Sequence, residues 1–418
     1  MADYAKWLRK LLSGRAGQLT PPSPAHAPGQ PGRPASYAGE NNDFALALYE
    51  HLRQGPGNVF FSPFSLRTAL SMAYAGARGE TAAQISRALF FPPSDEALHR
   101  AFAEILDRLN AAGAGYEMAV ANSLWCQEGA PLQAGFLDLV DRHHTGGLNL
   151  VDFRRAAEAA RVTINRWVQE KTRQKITDLI PSGGLSADTR LVLVNAVYFK
   201  GMWALKFPKA GTSEAPFYLA DGGSVRAPLM HQQVKIRLLQ APGYQAVDLD
   251  YQGSDLSMLV LLPDQKDGLR NLETSLSKGM LDECVAKMAV REVNLSLPRY
   301  RITWGTVNMG DQLIALGMPL AFDRSRADFA GINGHEPAHE EALFISAVFH
   351  KAFVDVNEQG TEAAAATAVS ARVTTAMYGG PARVPIFRAD HPFLFAIRER
   401  KTGAILFLGR MADPTREN

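Results

Sequence analysis

The chain has 418 residues, 44 basic against 42 acidic, two cysteines and 46% apolar side chains. That content excludes wholesale disorder and a disulfide-stapled scaffold, because a chain this long buries a large core unaided. The charge is unevenly divided: Lys6, Arg9, Lys10, Arg15 and Arg33 against Asp3 give residues 1–36 a net +4 and leave −2 for the rest, a body that is no nucleic-acid binder by composition.

From the N-terminus, Tyr4, Trp7, Leu8, Leu11 and Leu12 fall on one helical face with Lys6, Arg9 and Lys10 off it. This short basic amphipathic helix is expected to dock on the body or on a membrane surface. The charges around it leave no secretory core, and no apolar run of about 18 residues follows, so a cytoplasmic protein with no transmembrane segment is expected. Six prolines between Pro21 and Pro34 mark a semi-extended linker. Residues 1–36 are therefore expected to be an extension, and 37–418 a single domain.

Within the body, residues 41–52, 65–77, 81–89 and 157–172 carry helical periodicity, the second and third broken around Gly79. Strands are expected over 189–199, 246–249, 256–262, 293–297, 344–348, 352–356, 393–397 and 404–409, several apolar enough to be buried on both faces. Helices dominate the first half and strands the second, which argues α+β. Cys126 and Cys284 read as two buried thiols.

Catalytic motifs are scarce. His335-Glu336-Pro337-Ala338-His339 spells the zinc motif HExxH, but Pro337 sits between the ligands and argues against the helix that motif needs, so a polar loop is expected. His143-His144 reads as a solvated helix end, and no metal or cofactor is expected. The segment VNEQGTEAAAATAVSARVTTAMYGGPARVPIFRADHP, from Val356 to Pro392, is unusual. Its first part has high helix propensity. Read with period two, Thr361, Ala363, Ala365, Thr367, Val369 and Ala371 share a face of small uncharged side chains, as a central strand requires. A segment that suits two conformations is a candidate switch.

VNEQGTEAAAATAV resembles the hinge of the serpin (serine protease inhibitor) family. The resemblance extends over residues 40–414 through NVFFSPFSLRTALSMAYAGARGET, ANSLW, INRWVQEKTRQKI, LVNAVYFKGMW, SLPRYRI and ADHPFLFAIRERKTGAILFLGRMADP, all in order. One departure is Gln174, where the family usually has glycine. The resemblance implies three β-sheets, eight to nine helices and an exposed reactive-centre loop. It also implies a monomeric inhibitor of prokaryotic type, with no turnover chemistry of its own. A target serine endopeptidase, or a cysteine endopeptidase as a second class, cleaves the loop and forms an acyl-enzyme. The freed arm then enters the large sheet and distorts the trapped enzyme. The alternative is a non-inhibitory binding or chaperone-like member.

The resemblance also assigns residues. Ser62, Ser65, Asn195 and His350 match the shutter, a polar cluster under the large sheet. Trp203, Arg299 and Glu358 match the breach where the arm enters, with an Arg299–Glu358 pair closing it. Glu358, Gly360, Thr361, Glu362, Ala363, Ala364, Ala365 and Ala366 match the hinge. No large, charged or proline side chain faces inward from Thr361 through Ala371, which favours an inhibitor. Family spacing places the scissile bond at Thr374–Thr375; counting back from FRADHP points later, toward Met377 to Pro381, and Tyr378 and then Arg372 are the alternatives. Thr374 suits elastase- or subtilisin-like proteases, Tyr378 chymotrypsin- or subtilisin-like ones, and Arg372 trypsin-like ones.

Overall fold

The computed structural model describes residues 33–92, 96–109, 115–144, 146–361 and 384–417. The expectations for residues 4–12, for Glu362 and Ala363 to Ala366, and for Arg372, Thr374, Thr375 and Tyr378 lie outside them. The described residues form 15 strands and ten α-helical segments, three of these only four to seven residues long. Seven helices are longer, so the total depends on how many of the three short segments are counted.

The first helix, Arg33–Leu52, starts before the expected Asn41 and takes in the end of the proline-rich stretch. Pro34 lies in its first turn, where a missing N–H breaks no intrahelical bond. The helix Pro63–Gly76 follows Ser62, whose hydroxyl accepts from the Ser65 N–H, with proline again opening the first turn. Gly79 opens the helix Gly79–Leu89 at φ +50°.

One sheet has the order β10-β11-β12-β4-β2-β3, made of Tyr300–Asn308, Ile345–Asn357, Gly360–Thr361, Leu191–Met202, Tyr116–Gln127 and Leu148–Val151 respectively. The strands expected at 344–348 and 352–356 are one continuous β11. His350 and Lys351 do not interrupt it, because His350 has buried partners and Lys351 reaches the Thr177 carbonyl at 2.9 Å. Apolar side chains alternate along β4. Leu191, Leu193, Val197 and Phe199 enter the main core, while Val192, Val194, Ala196 and Tyr198 pack with Ile164, Trp167 and Val168 of the helix Phe153–Lys171. Burial on both faces is why β4 reads as an apolar run that only Asn195 interrupts before Lys200.

The other sheet runs β1-β15-β14-β8-β7-β6-β9-β13, with β5 beside β6. Its strands are Val59–Phe61, Ile405–Met411, Phe393–Glu399, Leu256–Pro263, Tyr244–Asp250, Ser224–Ala241, Ala289–Pro298, Ile386–Arg388 and Ser213–Tyr218. The long β6 pairs β5 through its first residues, β9 through Leu229–Leu238 and β7 through Arg237–Ala241. It thereby joins the two smaller sheets of the α+β fold into one hydrogen-bonded path.

Cys126 and Cys284 are free and buried, and burial pushes their thiols up to about 12 and about 11. His143 and His144 are not the solvated helix end expected. The His143 side chain is 11% exposed beside Glu96, and His144 lies buried with Nε2 3.1 Å from His99 Nδ1. The HExxH stretch forms no helix: Ala338 has φ +67°, and the His335 and His339 rings stack at 3.9 Å.

Candidate functional site: the seam between β4 and β11

β4 and β11 run parallel and pair directly from Leu191–Ile345 to Tyr198–Phe353. Beyond that point they part, and the two-residue β12 lies between them. It pairs Gly360 with Met202 and Thr361 with Gly201 on one side, and Asn357 and Val356 on the other. Gly360 has φ +150°, and a Cβ there would stand 2.0 Å from the Gly201 carbonyl oxygen. Only glycine fits so close to a neighbouring backbone. Thr361 is fully buried, and its hydroxyl meets the Tyr251 hydroxyl at 2.8 Å. Of the period-two face expected to turn inward, the one described member does so.

Trp203 closes the open end. Its ring stacks on Tyr251 at 4.8 Å, its Nε1 donates to the Asn357 carbonyl at 3.0 Å, and its backbone N–H donates to Gln359. The Glu358 side chain is 5% exposed, and its Oε1 accepts from Arg299 Nη2 and from the Thr212 hydroxyl, both at 2.7 Å. Burial raises the Glu358 pKa, but the hydrogen bonds from Thr212 and Arg299 outweigh it and hold the carboxyl below its usual range. This is more than an exposed ion pair, although Arg299 remains 48% exposed.

Half-way along the seam lies a polar cluster. His350 on β11 sits in register with Asn195 on β4, which sits in register with Asn122 on β2. Asn195 Nδ2 donates to the Ser65 hydroxyl at 2.6 Å and to Asn122 Oδ1. His350 Nε2 accepts from the Ser62 N–H at 3.4 Å, so its proton is on Nδ1, donated to Asn195 Oδ1. The Ser62 hydroxyl donates to the Leu406 carbonyl at 2.7 Å. Ser62, Ser65, Asn195 and His350 are fully buried, and burial pushes the imidazole down to about 3. The structure thus brings together all four residues assigned to the shutter, and likewise Trp203, Glu358 and Arg299, which the resemblance assigns to the breach.

Three partners escaped the sequence reading: Asn122, Thr212 and Tyr251. Asn122 had a signal, a lone amide in the run AVANSLW. Thr212 and Tyr251 lie on connections whose approach to the seam only the fold reveals. Among the described residues, no group of three or more His, Cys, Asp or Glu is placed to hold a metal, and no helix is long and apolar enough to cross a membrane.

Comparison with known proteins places this geometry in context. Residues 39–414 match the family model Serpin (serine protease inhibitor). An uncharacterised serpin-like protein of Thermococcus kodakarensis is 41% identical over 89% of this chain and 84% of its own. The leukocyte elastase inhibitor of Homo sapiens is 40% identical over 90% of this chain and 98% of its own. Among solved structures, uncleaved ovalbumin superposes with a TM-score of 0.80 at 29% identity, covering 90% of this chain and all of that one. Human thyroxine-binding globulin, solved in complex with thyroxine, does so with 0.81 at 28%, covering 92% and 100%.

Proposed function

The chain belongs to the serpin family of protease inhibitors, and from that premise we propose that it traps serine endopeptidases by loop cleavage and insertion. One observation carries the reading. Gly360–Thr361 already occupies the open end of the seam as a two-residue strand, with Thr361 turned inward and β4 paired to β11 directly below it. The sequence that continues from Thr361 places small, uncharged residues at every second position through Ala371, as an inward face would need. Insertion extends a strand that has begun.

On this reading the protease serine attacks the bond at Thr374–Thr375 and the acyl-enzyme forms. The freed arm then moves between β4 and β11. Deacylation stops because the protease's oxyanion hole and triad need closely held geometry. The Arg299–Glu358 clasp and the Asn195–His350 bridge hold the seam until cleavage. Elastase- and subtilisin-like enzymes are the favoured targets, an assignment that agrees with the similarity to leukocyte elastase inhibitors.

The test mixes the protein with elastase-, subtilisin-, chymotrypsin- and trypsin-like proteases, followed by denaturing electrophoresis and mass measurement of the released peptide. The expected result is a covalent complex and a fragment spanning residues 375–418. Cleavage by all four without a stable complex or gain in heat stability would overturn inhibition and leave a serpin-fold binding protein.

A further inference from the structure

At the end of the seam away from β12, where β4 and β11 begin, the surface opens into a cleft of about 670 Å³. Three arginines line it: Arg154 in the first turn of the helix Phe153–Lys171, Arg190 immediately before β4, and Arg324 on a loop. Arg154 pairs with Glu341 at 2.8 Å and Arg324 with Asp188 at 3.0 Å. Asp323 is turned onto its own loop, accepting from the Ser325 hydroxyl and from the N–H groups of Ser325 and Arg326.

Arg190 differs from the other two. It is only 8% exposed, and its Nη1 donates to the carbonyls of Ala187 and Thr189 at 2.9 and 3.0 Å. Among the described residues no hydrogen bond engages its Nε or Nη2, and no carboxylate oxygen lies within 4.0 Å of the group. Neither nitrogen is among the sealed, unpartnered polar atoms of the interior, and Arg190 lines the cleft. Burial first, and then the like charges of Arg154 and Arg324, lower its pKa from the ordinary arginine value, against the smaller opposing pull of Asp188 and Glu341. Arg154 and Arg324 each have a carboxylate of their own, and Arg190, a largely buried cation beside them, lacks one.

The remaining wall fits the same ligand. His339 Nδ1 accepts from the Glu341 N–H at 3.0 Å, which leaves the proton of the neutral ring on Nε2 as a donor at the rim. Glu340, exposed on the rim, repels an extended polyanion and restricts the site to a compact one.

We propose that this cleft binds a small tetrahedral oxyanion of the phosphate or sulfate class, with Arg190 as principal ligand and Arg154 and Arg324 flanking it. Guanidinium forks match two oxygens of such an ion at once. The site also sits at a junction. The Arg190 N–H donates to the Ser346 hydroxyl at 2.9 Å, where the β11 register slips between Ile345 and Ala347. An anion neutralising Arg190 steadies the point where both seam strands start. The binding itself does not depend on the inhibitory reading.

The test titrates the full chain with sodium phosphate by calorimetry at constant ionic strength, with melting temperature as a second readout. Saturable one-to-one binding, displaced by sulfate and not by acetate, is expected. Arg190→Gln is expected to weaken it about tenfold, which is about 1.4 kcal/mol. Should Arg190→Gln fold poorly, Arg324→Gln keeps the test. That residue is largely exposed, and its loss is expected to weaken binding about threefold without lowering the phosphate-free melting temperature. Non-saturable uptake, or equal affinity in the parent and in the variants that fold, would overturn the proposal and mean an adventitious ion only. Equal displacement by acetate would overturn the tetrahedral class.

Discussion

Acid should loosen the seam at His350, and the size of the effect follows from its surroundings. The neutral ring already donates from Nδ1 to Asn195 and accepts at Nε2 from the Ser62 N–H. A second proton on Nε2 would face a donor with no acceptor in reach. Burial agrees, pushing the imidazole from the ordinary 6.5 down to about 3. With the folded value depressed, the unfolded chain binds the proton first. The stabilisation is therefore complete above pH 6.5 and drains away as pH falls toward about 3. Each pH unit in that window removes about 1.4 kcal/mol, so pH 5 should remove about 2 kcal/mol through this residue. His144, pushed down to about 3 by burial and by its neighbours His99 and His143, should remove a comparable amount. The assay is the denaturant midpoint of the native form between pH 7.5 and 5, for the parent and for His350→Asn, which keeps hydrogen-bonding capacity. The variant should be less stable at pH 7.5 and show a flatter decline, with a difference in loss of about 2 kcal/mol at pH 5. Parallel declines in both proteins would refute the reasoning, because the histidine would then not be the titrating group.

Three further substitutions probe the rest of the seam and one turn beyond it. Thr361→Arg puts a guanidinium where a buried hydroxyl meets Tyr251, and should convert inhibition into plain cleavage; an unchanged yield of covalent complex on gels would contradict the insertion path. Glu358→Gln removes the charge that Arg299 and Thr212 hold, and should cost about 1 kcal/mol once the exposure of Arg299 is allowed for. Spontaneous loss of inhibitory activity at 37 °C should accelerate about fivefold; since the Glu358 pKa is lowered, the effect should be full at neutral pH and vanish where the parent carboxyl is protonated. Gln174→Gly relieves a left-handed residue, φ +64°, next to Arg173 at φ +51°; it should raise stability by about 0.5–1 kcal/mol, read as a higher melting temperature.

The elements most legible in sequence were those buried on both faces. β4, β8, β14 and β15 are predominantly apolar, with few polar interruptions, because each is buried along nearly its whole length. The strand β6 escaped: Ser224–Ala241 carries Arg226, His231, Gln232, Gln233, Lys235 and Arg237, so only part of it faces the core. The helices Glu96–Leu109 and Ala134–His143 escaped for a related reason, each burying a narrow stripe of two to four side chains. The seam residues were legible only through family resemblance. Ser62, Asn195 and His350 lie more than a hundred residues apart, and nothing in their local sequence says that they meet. The Gln174 departure is the converse case, where the family's glycine has a plain cause in positive φ.

On the insertion reading, the polar cluster lets one sheet be both firm and separable. β4 is apolar on both faces along most of its length, and apolar packing is non-directional, so it does not by itself define a line of opening. Hydrogen bonds between Asn195 and His350 do, because they must break for the strands to part. Their loss is affordable only if the groups find partners again, since an unpaired buried polar group costs roughly 1–3 kcal/mol. Amide, hydroxyl and imidazole side chains can each re-pair with another neighbour, whereas a buried ion pair would leave bare charges when separated. The charged clasp accordingly sits at the rim, where Arg299 is half exposed and can return to water, and the neutral network sits at the centre, where nothing can.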